Sequence, residues 1–141
     1  FVADIFEIDG ETRDERIKKY SDLFEITDSL GDLISSYSHG MKQKLAIISA
    51  FMHEPKLIVM DEPFVGLDPK ASLILKNLMH EHCADGAAIF FSTHVLEVAE
   101  KLCNKIAIIK GGKIMATGAT EELVGDKSLE DVFMEVVEHE N

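Results

Sequence analysis

Apolar residues recur at helical spacing through residues 1–53, without the alternation of a strand. The segment Thr12-Arg13-Asp14-Glu15 fits a capping box and predicts the start of a helix. A segment rich in serine and glycine follows, and a second, mostly buried helix is predicted from about residue 41 to residue 53. The first third of the chain is therefore predicted to be helical.

After residue 56 the pattern changes to short apolar runs separated by helical segments. The run at residues 57–60 predicts a strand covered on both faces in a parallel sheet, and residues 87–91 and 106–109 predict two more strands. Helices are predicted at residues 69–82 and 95–102. Gly111 and Gly112 predict a hairpin turn into a strand at residues 114–117, and Ser128-Leu129-Glu130-Asp131 predicts the capping box of a last helix.

Strands that alternate with helices after a helical opening predict an α/β fold. We expect a mostly parallel sheet with an α-helical subdomain and C-terminal helices. The predicted divisions are a helical subdomain at residues 1–53, part of an α/β core at 54–118 and C-terminal helices at 119–141. The chain opens on apolar Phe1 without a methionine or a cap, so we expect a segment truncated at its N-terminus.

The composition argues against a membrane-spanning protein and against a nucleic-acid-binding protein. The 141 residues are 46% hydrophobic and 28% charged, as in a globular domain, and no apolar run approaches the roughly 18 residues of a membrane span. A net charge of −12 disfavours nucleic acid and anionic lipid as partners. Cys83 and Cys103 form no Cys-x-x-Cys pair, which favours a reducing cytosol, and Cys83 is expected to fill core space.

Two carboxylates, Asp61 and Glu62, end the first predicted strand. Ligands of open α/β sheets bind at the carboxyl ends of strands. Adjacent residues of an extended backbone point to opposite sides, so one carboxylate can hold hydrated Mg²⁺ while the other polarises a water molecule. By itself, such a pair is more often a solvated strand end than a functional site.

Four segments surround and include this pair. In chain order they are Tyr37-Ser38-His39-Gly40-Met41-Lys42-Gln43, Leu57-Ile58-Val59-Met60-Asp61-Glu62-Pro63, Gly66-Leu67-Asp68-Pro69 and Ser92-Thr93-His94. Together they resemble the signature segment, Walker B strand, D-loop and H-loop of the ATPase domain of ATP-binding cassette (ABC) proteins, over about residues 1–141. The resemblance implies a P-loop NTPase-like fold with ATP and Mg²⁺ as cofactors.

The resemblance also implies roles for individual residues. Asp61 would coordinate Mg²⁺, Glu62 would orient the attacking water, and His94 would contact the γ-phosphate. Asp68 would lie at a dimer interface, although a helix-capping role is the alternative. The nucleotide of an opposite subunit would be bound by the residues of the signature segment, namely Ser38, His39, Gly40 and Met41. For Ser38 and Gly40 the alternative is an ordinary helix cap.

The signature segment departs from the common Leu-Ser-Gly-Gly-Gln form at Tyr37, His39 and Met41. This variant, and the closing run from Ser128 to Phe133, are similar to the exporter branch that includes drug, antibiotic and polysaccharide efflux ATPases. For the side chain of His39, contact with a phosphate and contact with a ribose are both compatible with the sequence.

The phosphate-binding pattern Gly-x-x-x-x-Gly-Lys-Ser/Thr, known as Walker A, does not occur, and the family's glutamine loop would precede Phe1. We therefore expect the complete protein to hydrolyse ATP and this segment alone to be inactive. Strands without their neighbours expose apolar surface, so self-association or a rearranged sheet edge is also expected.

The leading hypothesis is an ATP-hydrolysing subunit that powers an ABC-type membrane transporter, in the export direction. The expected partners are a transmembrane permease subunit and a second ATPase subunit, in a homodimer or a heterodimer, without nucleic acid. We expect it on the cytoplasmic face of the membrane, with membrane contact only through the permease. The alternatives are a non-transport ABC ATPase of translation or DNA maintenance and an inert regulatory module.

Overall fold

The computed structural model describes residues 1–138, with side chains described to residue 137. The chain divides into two compact units, residues 1–92 and the residues from Thr93 onward. Residues 139–141 of the predicted C-terminal helices lie outside the described residues. The predicted divisions after residues 53 and 118 stay predictions.

The first unit opens with helices, as the apolar spacing predicted. Short 3-10 turns at Thr27–Ser29 and Ile34–Ser36 shape the segment rich in serine and glycine. The helices are α1 (Val2–Ile5), α2 (Gly10–Leu23), α3 (His39–Phe51) and α4 (Pro69–Ala84). Phe24, Phe51 and Leu75 are almost wholly buried at the end of α2, in α3 and in α4, and each contributes roughly 1.5–3 kcal/mol of apolar burial.

Helix α2 begins before the predicted capping box, so that prediction is wrong. Asp9 is the N-cap, and its carboxylate accepts a hydrogen bond of 3.0 Å from the backbone N–H of Thr12. This bond is the main cause of the lowered pKa of Asp9. Aspartate is a stronger N-cap than threonine, which is why the helix starts at the earlier position.

Two parallel strands, β1 (Leu57–Asp61) and β2 (Ala88–Ser92), pair from Leu57 opposite Ala88 to Asp61 opposite Ser92. Helix α4 connects them, which confirms an α/β fold with a small parallel sheet. The prediction that β1 is covered on both faces is wrong for the described residues. Leu57, Val59 and Phe90 are 59%, 68% and 62% exposed, because only the face that carries buried Ile58 is covered.

The second unit is built on a hairpin. Strands β3 (Lys105–Lys110) and β4 (Lys113–Ala119) are antiparallel, and positive φ angles of 56° at Gly111 and 77° at Gly112 form the predicted two-residue turn. Helices α5 (Leu96–Leu102), α6 (Thr120–Val124) and α7 (Leu129–Glu138) complete this unit. Its buried apolar cluster consists of Ile108, Leu129 and Val132, and Thr120 is a buried polar residue.

The predicted capping box of α7 is confirmed. The Ser128 hydroxyl accepts the N–H of Asp131, and the Asp131 carboxylate accepts the N–H of Ser128, both at 3.1 Å. The pKa of Asp131 is lowered, first by the Ser128 hydroxyl, which donates to the carboxylate at 2.7 Å, and then by the N–H of Ser128. The expectation for Cys83 is wrong, because that side chain is exposed on α4. Within residues 1–138, no helix combines the length and the apolar character that crossing a membrane requires.

Candidate functional site

The acid pair lies where β1 and β2 end side by side. Asp61 is the last residue of β1 and is paired in register with Ser92, the last residue of β2. The Ser92 hydroxyl donates a hydrogen bond to the Asp61 carboxylate. The Ser92 carbonyl accepts the backbone N–H of Glu62 at 3.1 Å. One residue therefore fixes the side chain of Asp61 and the backbone of Glu62.

The backbone at Glu62 has a φ of 47°, in the left-handed region. Glu7, Glu25 and Glu54 share a positive φ, but each lies just after a helix, where such a conformation commonly ends the helix. Glu62 instead follows a strand, and its carbonyl accepts the N–H of Val65 at 3.1 Å in a turn. Strained conformations of this kind cluster at functional sites.

The oxygen atoms at this strand end suit a hard divalent cation. Asp61 is exposed and Glu62 is half-buried. Mg²⁺ prefers carboxylate, hydroxyl and water oxygens, and usually binds through one or two carboxylates plus phosphate. The side chains of Asp61 and Ser92 therefore fit the predicted cation.

The signature-like segment forms the start of α3. Ser38 is the N-cap, and its hydroxyl accepts the N–H of Met41 at 3.2 Å. The helix begins at His39 rather than near Met41, so His39, Gly40 and Met41 form its first turn. The amide groups of a first helical turn lack partners within the helix and favour an anion. The placement of Ser38 as a cap is as predicted.

Tyr37 gives a structural reason for one departure from the common signature form. Its ring is buried, and its hydroxyl donates a hydrogen bond of 2.6 Å to the carbonyl of Ser29. A leucine at this position has no donor for that carbonyl. Tyr37 therefore anchors the segment rich in serine and glycine next to the cap of α3.

Asp68 is the N-cap of α4, which confirms the helix-capping role that was the alternative for this residue. Its carboxylate accepts the N–H of Ala71 at 2.9 Å and lies 3.3 Å from the ammonium group of Lys44 on α3. The pKa of Asp68 is lowered, first by the hydrogen bond from Ala71 and then by Lys44. Its role at a dimer interface stays a prediction.

His94 belongs to the second unit. It follows Ser92 by two residues and lies in the exposed segment before α5. The backbone N–H of Val95 is held by the hydroxyl of Thr93 at 3.1 Å, which fixes the chain next to the histidine. The contact of His94 with a phosphate stays a prediction.

Within the first unit, the structure brings Asp61 and Glu62 together at the strand ends, and it places the start of α3 beside the loop that leads to Asp68. Sequence reasoning missed three residues that position these groups, namely Ser92, Gln43 and Lys44. Ser92 could have been noticed because it belongs to Ser92-Thr93-His94, but its pairing with Asp61 depends on strand register. Gln43 and Lys44 could have been noticed because they follow His39 and Gly40 by one helical turn and so lie on the same side of the helix.

Comparisons with known proteins found a family model and similar proteins. A protein-family model described as "AAA domain, putative AbiEii toxin, Type IV TA system" matches residues 4–100. The ABC-type transporter ATP-binding protein EcsA of Bacillus subtilis (strain 168) is 34% identical over 144 residues, covering 99% of this chain and 58% of EcsA. The linearmycin resistance ATP-binding protein LnrL of the same organism is 33% identical over 117 residues, covering 81% of this chain and 38% of LnrL.

A solved structure described as the ATP-binding subunit of an ABC transporter superimposes with a TM-score of 0.91 at 33% identity. The superposition covers 96% of this chain and 59% of that chain. This chain therefore spans somewhat more than half the length of EcsA and of the solved subunit, and less of LnrL.

Proposed function

This chain belongs to the ABC transporter ATP-binding protein family, and we propose that it is the part of an ATP-hydrolysing subunit that carries the catalytic carboxylates. One observation carries the proposal. At the joined ends of β1 and β2, Ser92 fixes Asp61 while Glu62 is held in a left-handed conformation. An oriented carboxylate at Asp61 next to a fixed backbone at Glu62 supports the use of one side chain for a cation and the other for a water molecule.

In the proposed reaction, Asp61 holds Mg²⁺ through water, Glu62 orients the water that attacks the γ-phosphate, and His94 donates a hydrogen bond to that phosphate. A bound Mg²⁺ supplies charge neutralisation at the phosphate oxygens. Phosphoryl transfer needs little covalent chemistry from the protein, so catalysis depends on how these side chains are positioned. The bond from Ser92 to the carboxylate of Asp61 provides such positioning for one of them.

The start of α3 is proposed to bind the nucleotide held by a second subunit, in a homodimer or a heterodimer. Ser38 caps the helix by accepting the N–H of Met41, and the backbone amides of His39 and Gly40 lie in the same first turn, where the dipole favours phosphate. Asp68 is proposed to lie at the interface between the two subunits. Its ion pair with Lys44 connects it to the same helix.

The proposed partner is a transmembrane permease, which places the subunit on the cytoplasmic face of the membrane. The name of LnrL includes resistance to linearmycin, which supports the export direction proposed here. The net charge of −12 supports a protein rather than a nucleic acid as partner. Since the 141 residues contain no Walker A pattern, we propose that this segment alone does not turn over ATP.

The test is Glu62→Gln in the full-length protein. Glutamine keeps the shape of the side chain but lowers its ability to polarise water, so we expect turnover to fall by about 10²-fold or more. Nucleotide binding should persist, and ATP-bound dimers should accumulate. Steady-state hydrolysis and light scattering after gel filtration in ATP measure these two effects.

The matched control is Glu81→Gln, at an exposed position on α4 in the same unit. It should retain the turnover and the oligomeric state of the unmodified protein. Normal hydrolysis by Glu62→Gln would show that the role assigned to Glu62 is wrong. If the full-length protein neither binds nor splits Mg–ATP, the inert-module alternative replaces the proposal.

A further inference from the structure

One face of α3 contacts the loop of residues 63–68, which joins Glu62 to α4. Positions 39 and 43 are one helical turn apart, as are positions 40 and 44, so the four positions form two neighbouring rows on one side of the helix. The Gln43 side-chain amide donates a hydrogen bond of 3.1 Å to the carbonyl of Pro63. Lys44, with 15% of its side chain exposed, pairs with Asp68 at 3.3 Å. Both ends of the loop are therefore held by α3.

The middle of the loop is held by a close approach of two glycines. A Cβ atom at Gly40 would lie 2.8 Å from the carbonyl oxygen of Gly66, which is too short for a real contact. Gly66 has a φ of +81°, which favours glycine. The backbone of α3 therefore approaches the backbone of the loop directly at this point.

The ring of His39 occupies the space next to Gly66. A Cβ atom at Gly66 would lie 2.5 Å from Cδ2 and 2.9 Å from Nε2 of His39. The imidazole thus covers the face of Gly66 on which another residue would carry its side chain. This contact is made at the position where the common signature form has a glycine, which has no side chain to make it.

We propose that His39 is a positioning residue whose ring braces the loop of residues 63–68 against the first turn of α3. The brace fixes the distance between the cap at Ser38 and the carboxylate of Asp68. Its consequence for turnover rests on the proposed function, in which both groups meet the opposite subunit. The side chain of His39 then acts through the loop and not by direct contact with phosphate or ribose.

The brace depends on the flat ring rather than on its nitrogen atoms. His39→Phe keeps an aromatic ring at Gly66, whereas His39→Ala removes it. A side chain that bound phosphate or ribose through nitrogen would lose its function in both variants. The pair of variants therefore separates the two roles.

The first experiment measures hydrogen exchange of the backbone amides in residues 63–68 of the full-length protein without nucleotide. In this loop, the N–H group of Val65 is bonded to the carbonyl of the preceding Glu62, and that of Leu67 to the carbonyl of Phe64. We expect exchange to become about fivefold faster in His39→Ala and to stay near that of the unmodified protein in His39→Phe. His80→Ala, which truncates an exposed histidine on α4, is the matched control and should change nothing in this loop.

The second experiment measures ATP turnover in the same variants. We expect kcat to fall by about tenfold in His39→Ala with KM for ATP within about twofold, because alignment is lost while the ATP of the same subunit still binds. His39→Phe should restore most of kcat. His80→Ala should match the unmodified protein.

Unchanged loop exchange in His39→Ala would overturn the proposal, whatever the turnover. Equal losses of kcat in His39→Ala and His39→Phe would also overturn it, since the ring alone would then be insufficient. If the unmodified protein shows no hydrolysis, the proposed function fails. The exchange measurement still decides whether His39 braces the loop.

Discussion

At the scale of single residues, Ser92 joins the two groups that the proposed chemistry requires. Its hydroxyl bonds to the carboxylate of Asp61, and its carbonyl bonds to the backbone of Glu62. A carboxylate on an exposed strand end otherwise samples several rotamers. Ser92 therefore determines which way Asp61 presents its oxygen atoms.

Ser92→Ala should lower ATP turnover by about tenfold and raise the Mg²⁺ concentration needed for half-maximal turnover, because Asp61 loses its orienting bond. The Ser92 hydroxyl also accepts the backbone N–H of Glu62 at 3.3 Å, but that N–H keeps its bond to the Ser92 carbonyl. The net loss should therefore reduce the free energy of unfolding by about 1 kcal/mol. Metal titrations of the full-length ATPase and urea unfolding measure the two quantities.

The control for that prediction is Ser49→Ala, which removes a hydroxyl bonded only to the Leu45 carbonyl of its own helix among the bonds described. Ser92→Thr keeps a hydroxyl at the strand end and should retain most of the activity. Wild-type metal dependence in Ser92→Ala would contradict the orienting role.

At the scale of elements, α3 and α4 each have an N-cap residue, and an ion pair joins α3 to the cap of α4. Ser38 caps α3 and Asp68 caps α4, while Lys44 of α3 pairs with Asp68. Arg16 of α2 holds the other end of α3, with a hydrogen bond of 2.8 Å to the carbonyl of Met52. These bonds fix α3 at both termini, which suits a helix that positions a binding segment.

The lowered pKa of Asp68 predicts a dependence of stability on pH. The pKa is lower in the folded than in the unfolded chain, so the stabilisation is fully present above the unfolded value of about 3.9 and is lost as pH falls through the folded value. We expect Asp68→Asn, which keeps a capping group without charge, to lose less stability between pH 7 and pH 3 than the unmodified protein.

Urea midpoints at the two pH values measure this difference. Asp85→Asn, at the C-terminal end of the same helix, is the control and should lose about as much stability as the unmodified protein. An identical pH response of Asp68→Asn and the unmodified protein would show that the carboxylate does not contribute through its charge.

At the scale of the whole molecule, the first unit leaves one face of its sheet exposed within the described residues. Leu57 and Val59 of β1 and Phe90 of β2 lie on this face. Large exposed side chains favour association with other chains, especially on a two-stranded sheet whose outer edges pair with no further strand within residues 1–138. Burying each side chain is worth roughly 1.5–3 kcal/mol, which outweighs a typical surface salt bridge.

We therefore expect this 141-residue chain to self-associate as its concentration rises. Val59→Lys and Phe90→Lys place charges on the exposed face and should shift the chain toward monomer, as measured by sedimentation velocity. Leu73→Lys alters an exposed apolar residue on α4 and should not have this effect. A monodisperse monomer of the unmodified chain at high concentration would contradict the prediction.

Local rules explain the features that were predicted from the sequence. The turn at Gly111 and Gly112 and the caps at Ser38 and Ser128 each depend on residues within a few positions of one another. The predicted cap of α2 was wrong for a reason that is also local: Asp9 lies three residues before Thr12 and is the stronger N-cap. The order of strands and helices likewise followed from apolar periodicity.

The amino-acid sequence by itself determined the α/β fold class, the carboxylate pair at a strand end and the segments that resemble an ABC ATPase. Only the tertiary structure decided that Ser92 holds Asp61, that Glu62 has a positive φ, and that His39 lies against Gly66. The two contacts join residues that are 31 and 27 positions apart, and the conformation of Glu62 depends on its bond to Ser92, which is 30 positions away. No local sequence pattern encodes such pairings. Strand register and the close approach of two backbones arise only when distant segments pack.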